Sequence, residues 1–150
     1  MDTLIEAPSS ALSGVARVLV HGGKLKVQRA EELAASARDK RISFVAALMD
    51  AGDMTPSALA HSLSSALSVP LLDLDAVDPQ KLPRSFLDAK LIGQYKVLPL
   101  SKRGSRLFLA CADPTDQEAT ERIKFATQLA PEWVLVEYDK LARQIDAQAT

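Results

Sequence analysis

Cysteine is almost missing from this sequence. There is one, Cys111, in 150 residues, so no disulfide can form within the chain and a reducing compartment is expected. Cys111 falls inside a predicted strand with no histidine close in sequence. That reads as a small buried apolar residue rather than an activated thiol. Histidine is scarce too. His21 and His61 lie in different segments and have no spaced set of cysteines or carboxylates, so no zinc site is expected. No run approaches about 20 apolar residues, and the opening MDTLIEAPSS lacks the basic stretch and apolar core of a signal peptide. A cytoplasmic protein is expected, held at a membrane only through partners. Neither half is dominated by charge of one sign. Lys and Arg number 7 against 7 Asp and Glu through residue 70, then 11 against 12, for a net charge of −1. Bulk electrostatics therefore offers nothing to nucleic acid.

Catalytic loops are lacking as well. A phosphate-binding loop requires G-x-x-x-x-G-K-[ST], because backbone amides must wrap the phosphates while a lysine reaches them. Gly23-Lys24 is the one Gly-Lys pair, and Leu25 stands where the hydroxyl is needed. There is no G-x-S-x-G. Asp73 and Asp75 are close in sequence, but nothing aligns a third group with them, so they read as solvated loop carboxylates. No enzyme activity and no cofactor are expected of this chain by itself.

What is present is a globular composition, 47% apolar and 25% charged, enough for one domain or two small ones. From Leu12 to Leu67 the apolar spacing is helical. Leu12, Val15, Val18 and Leu19 mark a first helix, with Ser10 or Ser13 as its cap. Gly22-Gly23 stops it. Val27 to Arg38 is a second, with Ala30, Leu33, Ala34 and Ala37 on one face. Ser43 to Asp50 is a third, with Phe44, Ala47, Leu48 and Ala51 inward, and Gly52 ends it. Thr55-Pro56 caps a fourth lined by Leu59, Leu63, Ala66 and Leu67. A shift of 29 residues carries Leu19 onto Leu48, Gly23 onto Gly52, Leu25 onto Met54, Ala30 onto Leu59 and Ala34 onto Leu63. Each unit is helix, Gly turn, helix, and one pair cannot cover its own apolar face, so the two should stack into a four-helix bundle. Leu4 and Ile5, ahead of it, are read as local packing or disorder rather than as a binding element.

The second half changes character. Leu71 to Leu74 reads as a short extended stretch, and Pro83 to about Gly93 as a short helix with Phe86, Leu87 and Ile92 inward. Lys96 to Glu118, KVLPLSKRGSRLFLACADPTDQE, reads as a hairpin turning at Lys102-Arg103-Gly104-Ser105. Asp113-Pro114 ends it, and Thr115 with Glu118 forms a capping box. A helix Asp116 to Leu129 follows, with Ala119, Ile123 and Ala126 inward. Trp133 to Tyr138 is a third strand, and Lys140 to Gln148 a terminal helix. The expected fold is α+β: a helical subdomain over 1–69 built from the tandem repeat, then a small three-stranded sheet with helices on one face over 70–150, with the seam near 68–75.

The phrase VLPL-x-x-x-G-x-x-L-x-(apolar)-A-x-x-DPT, carried by Pro99-Leu100, Gly104, Leu107, Ala110 and Asp113-Pro114-Thr115, resembles the N-terminal domain of the assembly ATPases of type IV pili and type II secretion. Pro70-Leu71-Leu72-Asp73-Leu74 and Glu121-Arg122-Ile123-Lys124-Phe125 extend the resemblance, which covers about residues 12 to 142 and looks closest to the pilus extension ATPase. It implies a docking domain that binds proteins, a PilZ-type regulator or inner-membrane platform components, ahead of a hexameric motor lying beyond residue 150. Some relatives bind cyclic di-GMP through a tandem R-L-G-x-x-L-x-x-x-G-x-L-x-x-x-x-L-x-x-x-L-x-x-Q. Anchored on Gly23 and Gly52, its Arg falls on Gly14 and Ser43, its first, close-approach Gly on Ala16 and Val45, and its Gln on Ala37 and Ala66. The apolar frame survives without the ligand-contacting types, and Gly or Ser cannot replace a bidentate guanidinium. The resemblance therefore favours partner binding, with cyclic di-GMP sensing and a secretion ATPase as alternatives. Candidate partner-binding residues are His21, Lys24, Met49 and Met54 around the Gly turns, and Lys102, Arg103 and Arg106 at the hairpin, where an acidic partner or a phosphate could dock.

Overall fold

The computed structural model describes residues 12, 14–83 and 85–149. Leu4, Ile5, Ser10 and Ser13 lie outside them. The chain divides into two compact units, the first ending at Leu67 and the second beginning at Ser68.

The first unit holds four helices: α1 (Gly14–His21), α2 (Val27–Lys40), α3 (Phe44–Ala51) and α4 (Pro56–Leu67). α1 packs against the other three, and α2 against α3. Leu19, Ala30, Leu48 and Leu63 are fully enclosed and Leu59 nearly so. Each such leucine contributes roughly 1.5–3 kcal/mol relative to exposure. Side chains supply the starts: Ser43 Oγ accepts from Ala46 N at 3.0 Å, and Thr55 Oγ1 from Ala58 N at 3.0 Å. The two Gly turns supply matching stops, with Gly23 at φ +73° and Gly52 at φ +77°. α2 ends without glycine, on Arg41 in the left-handed region, and runs two residues past the expected Arg38. Two expected inward residues are exposed instead, Ala51 and Ala66. α4 is the last helix of the array and packs chiefly on α1, so its final turn is left uncovered within this unit.

The second unit opens with Leu71, which bridges Leu135 in parallel; Leu135 N donates to the Pro70 carbonyl and Leu72 N to the Leu135 carbonyl, both at 2.8 Å. Two single 3-10 turns follow, Leu74–Ala76 and Pro79–Lys81, each closed by an aspartate that accepts from the amide two residues on. The short helix, α5 (Ala89–Tyr95), starts six residues later than Pro83 because Asp88 caps it. It runs through Gly93 and stops at Lys96, whose φ is +54°.

The sheet order is β1 (Leu98–Arg103), β2 (Arg106–Cys111), β3 (Ala130–Leu135). β1 and β2 form an antiparallel hairpin with a bulge between Pro99 and Ser101. Its turn is Gly104-Ser105 alone, so Lys102 and Arg103 belong to β1 rather than to the turn; Gly104, at φ +60°, occupies the first central position, where glycine is required. β2 and β3 are parallel, joined through α6 (Gln117–Thr127). α6 is capped by Asp116 Oδ1, which accepts from Ala119 N at 3.0 Å. The Thr115–Glu118 box does not form: Thr115 N and Oγ1 both donate to Asp113, and Glu118 takes the Tyr95 hydroxyl at 2.7 Å. Ala126 is exposed; Ala119 and Ile123 make the buried stripe. β3 begins three residues before Trp133. Pro131 is tolerated there because only one neighbour, β2, flanks that end of β3. α7 (Tyr138–Ala149) closes the unit, packing on β2, α5 and the first 3-10 turn.

Alternation along the strands makes two faces. Leu107, Leu109, Cys111, Trp133 and Leu135 share the face that α6 covers, and Trp133 Nε1 donates to Thr120 of α6 at 3.3 Å. Arg106, Phe108, Ala110, Glu132 and Val134 lie on the other, where Ala110 is fully buried and Phe108 and Val134 are partly exposed.

Candidate functional site

Among its described residues the helical unit carries two clefts considered as sites. One, of about 350 Å³, lies between α1 and α4 and is lined by Val18, Leu19, Gly22, Lys24, His61, Ser62, Ser65 and Ala66. His61 Nδ1 donates to the Ser57 carbonyl at 2.8 Å, which in the neutral ring leaves Nε2 as acceptor. The expected docking residue Lys24 thus joins His61, a residue considered above only as a metal ligand. His21 is exposed at the end of α1 and does not line this cleft; Met49 and Met54 are half-buried and lie outside it too.

The second cleft, of about 320 Å³, is bounded by Leu12, Ala16, Ala34, Ala37, Arg38, Arg41, Ile42 and Phe44. Ala16 and Ala37 are the positions where the nucleotide motif wants its first Gly and its Gln. Arg38 and Arg41 were missed by anchoring on that motif, because they follow its last position. The signal available was the pair of cations around the end of α2.

Tying the two repeats, Arg29 of α2 holds Asp53 of the second Gly turn in a bidentate pair, at 2.7 and 2.8 Å. The guanidinium holds the Asp53 carboxyl below its ordinary range. In the second unit Lys140 Nζ reaches Asp73 and Asp75, both at 3.1 Å. The acid pair considered above is thus neutralised by a lysine, whose hydrogen bond holds Asp73 low. Asp113 departs in the other direction. Burial raises its carboxyl pKa, opposed by the hydrogen bonds from Thr115. Burial likewise pushes the Cys111 thiol far up, which leaves it inert at neutral pH. Among the described residues no group of three or more His, Cys, Asp or Glu is placed to hold a metal ion, and no helix is long and apolar enough to cross a membrane.

The hairpin cations do not form one patch. Lys102 pairs with Leu107 on one face, its Nζ 6.0 Å from the centre of the Phe86 ring. Arg103 and Arg106 face each other on the opposite side, where Arg106 Nε comes 3.8 Å from Glu132. That second side also carries a trough of about 340 Å³, lined by Leu72, Leu100, Ser101, Arg103, Phe108 and Val134. The trough was not foreseen. A period-two reading of RLFLAC places Phe108 with Arg106 and Ala110, away from Leu107 and Leu109; of these Ala110 is buried and Phe108 partly exposed.

The model of the MshEN domain family matches residues 67–147, more than half of the chain. The chain belongs to the MshEN domain family. The match falls almost entirely on the sheet unit. Over both units the chain is 34% identical across 138 residues to the type IV pilus assembly ATPase PilB of Pseudomonas aeruginosa, and 35% across 131 residues to PilB of Acinetobacter baylyi. Those alignments cover 92% and 87% of this chain but only 24% and 23% of the relatives, so the chain spans about a quarter of their length. In fold it is similar to a structure of MshE with cyclic di-GMP (TM-score 0.64, 21% identity, 91% of this chain and 99% of that one). It is similar also to the N-terminal domain of XpsE (TM-score 0.69, 22% identity, 88% and 91%). This MshEN domain is therefore α+β, as expected; it is related in sequence to type IV pilus assembly ATPases and shares its fold with the N-terminal domain of XpsE.

Proposed function

We propose that this MshEN domain is the regulatory and docking part of a type IV pilus assembly ATPase and is not itself catalytic. The observation that carries the reading is the identity of about a third to two PilB proteins across both units. Two features support it: no G-x-x-x-x-G-K-[ST] occurs in the 150 residues, and both units present mixed apolar and cationic surface. Its partners are proteins, a PilZ-type regulator or components of the inner-membrane platform. These hold a cytoplasmic, hexameric ATPase at the membrane. The corresponding domain of a type II secretion ATPase, bound to the cytoplasmic part of a membrane protein, is the neighbouring alternative. Biolayer interferometry of residues 1–150 against PilZ-type regulators and the cytoplasmic domains of pilus and secretion platform proteins tests both. Micromolar or tighter binding to a pilus component is expected; binding to a secretion component alone selects the alternative, and silence from every one of them refutes docking.

A second reading, cyclic di-GMP sensing, is favoured by one observation: Ala16 and Ala37 converge on a cleft that Arg38 and Arg41 line. Two guanidiniums there could pair with phosphates although the motif's own arginines are replaced. Calorimetry with cyclic di-GMP decides it. No heat is expected; micromolar binding that Arg38→Ala and Arg41→Ala abolish would establish the sensor.

A further inference from the structure

We propose that the partly exposed strip on the second face of the second unit's sheet, beyond the buried Leu98 and Ala110, seats a short amphipathic helix of a partner protein, with acidic residues of that helix over Arg103 and Arg106. The proposal rests on the docking reading and adds to it a surface and a partner chemistry.

Leu72, Leu100, Phe108 and Val134 come from four successive chain passes, and all four are partly exposed. Neighbouring passes lie about 4.8 Å apart, so the apolar strip is roughly 14 Å across. α6 does not cover it, being held on the opposite face through Trp133, Ala119 and Ile123. The strip lies on a sheet face rather than an edge, and the backbone groups beneath it are already engaged in the ladders. An extended segment laid there would leave its own amides and carbonyls unpaired against apolar side chains. A helix satisfies its backbone internally and can lie on such a surface. About nine helical residues span the strip, enough for apolar anchors at i, i+3 or i+4, and i+7.

Charge selects among such helices. Arg103 lines the trough and Arg106 sits opposite it at the hairpin end. Among the described residues the one carboxylate within ion-pair distance of either is Glu132, 3.8 Å from Arg106 and on the same face. Two guanidiniums against one carboxylate leave an excess of positive charge at that end of the strip. An acidic helix gains there and a basic one is repelled.

The test uses residues 1–150 and two synthetic 14-residue amphipathic peptides with the same Leu and Phe face, one with Glu and one with Lys on the polar face. In an amide chemical-shift titration the Glu peptide is expected to move Leu72, Leu100, Ser101, Phe108 and Val134. It should bind at least tenfold more tightly than the Lys peptide. Arg103→Glu with Arg106→Glu, both exposed and so expected to leave the circular dichroism spectrum unchanged, should reverse that preference. Shifts confined to other residues, equal affinity for the two peptides, or an unchanged preference in the double variant would overturn the proposal. Partner-protein binding retained by the double variant overturns this surface and leaves the docking reading standing. If the unaltered domain binds no partner protein while the Glu peptide still seats on the sheet, the docking reading fails alone.

Discussion

In the helical unit the buried leucines from Leu19 onward belong to helices joined by turns of three to five residues. In the sheet unit Leu109 is paired with Trp133, a strand and a helix further along the chain. The first unit is assembled from local steps: hydroxyl caps at Ser43 and Thr55, apolar stripes, and left-handed stops at Gly23, Arg41 and Gly52. The second depends on contacts whose partners are far apart in sequence. Turn chemistry there is supplied by aspartates, at 73, 78, 88, 113 and 116, each accepting from amides two or three residues on. The contrast teaches that a domain can carry a repeat as a packing device in one half while its less repetitive half builds a sheet from chain passes far apart in sequence.

The largest break in that comparison comes from hollowing each core separately. Leu48→Ala and Leu109→Ala each remove a side chain with no exposure and are expected to cost about 2–5 kcal/mol. Trp133 is the one tryptophan in the chain and sits in β3, so its fluorescence in urea reports the sheet unit. Leu109→Ala should lower the Trp133 midpoint. Leu48→Ala should lower the far-ultraviolet circular dichroism transition and leave the Trp133 midpoint in place. Equal movement of both signals in both variants would show that the two units unfold as one.

Glycine substitutions sharpen the comparison at intermediate magnitude. An added Cβ meets nothing within 4 Å at Gly23, Gly52 or Gly93, so backbone angle alone decides the sign. Gly23→Ala and Gly52→Ala force alanine to φ above +70° and should each cost about 1–2 kcal/mol. Gly93→Ala, inside α5, should stabilise by about 0.5–1 kcal/mol. Urea midpoints check all three, and unequal costs at the two repeat glycines would break the equivalence of the turns. Removing the caps by Ser43→Ala and Asp116→Ala should cost about 1 kcal/mol each, the first seen by circular dichroism and the second by Trp133.

The smallest effect is a difference in pH dependence. Asp53 and Asp73 have folded pKa values below their unfolded ones, so their contribution is present above the ordinary carboxylate range and is lost as pH falls through the folded values. Asp113 has a raised folded pKa, so its contribution has the opposite slope: stability is lost as pH rises from its unfolded value through its folded one. Asp113→Asn should flatten the decline on the alkaline side of that window, and Asp53→Asn should flatten the loss on the acid side. Urea midpoints between pH 3 and 7 separate the two. A steeper alkaline decline in Asp113→Asn would reverse the sign argued for its burial.

Much of the fold was legible because helical periodicity and left-handed stops are written in neighbouring residues. Leu19, Gly23, Leu48 and Gly52 needed no distant partner to be read. The errors lie where a choice between adjacent residues is made by competition. Asp116 rather than Thr115 caps α6 because Asp113 claims the Thr115 hydroxyl and amide. β3 starts at Ala130 because Gln128, in the left-handed region, has already ended the helix. Of the candidate surface, the sequence singled out Lys24 and the hairpin cations, but not which face each arginine takes. Face follows from strand register, and a boundary error of one residue exchanges the faces.

By itself the sequence determined the element types, the tandem helical pairs and the lack of a phosphate loop, since these depend on residue identity and short spacing. Only the tertiary structure decided that Arg38 and Arg41 meet Ala16 and Ala37 in one cleft. It alone placed Leu72 beside Phe108 and Val134, with Arg103 at the end of the same strip. Such groupings are set by which chain passes become neighbours, and that is fixed by packing of the whole core rather than by any stretch within it.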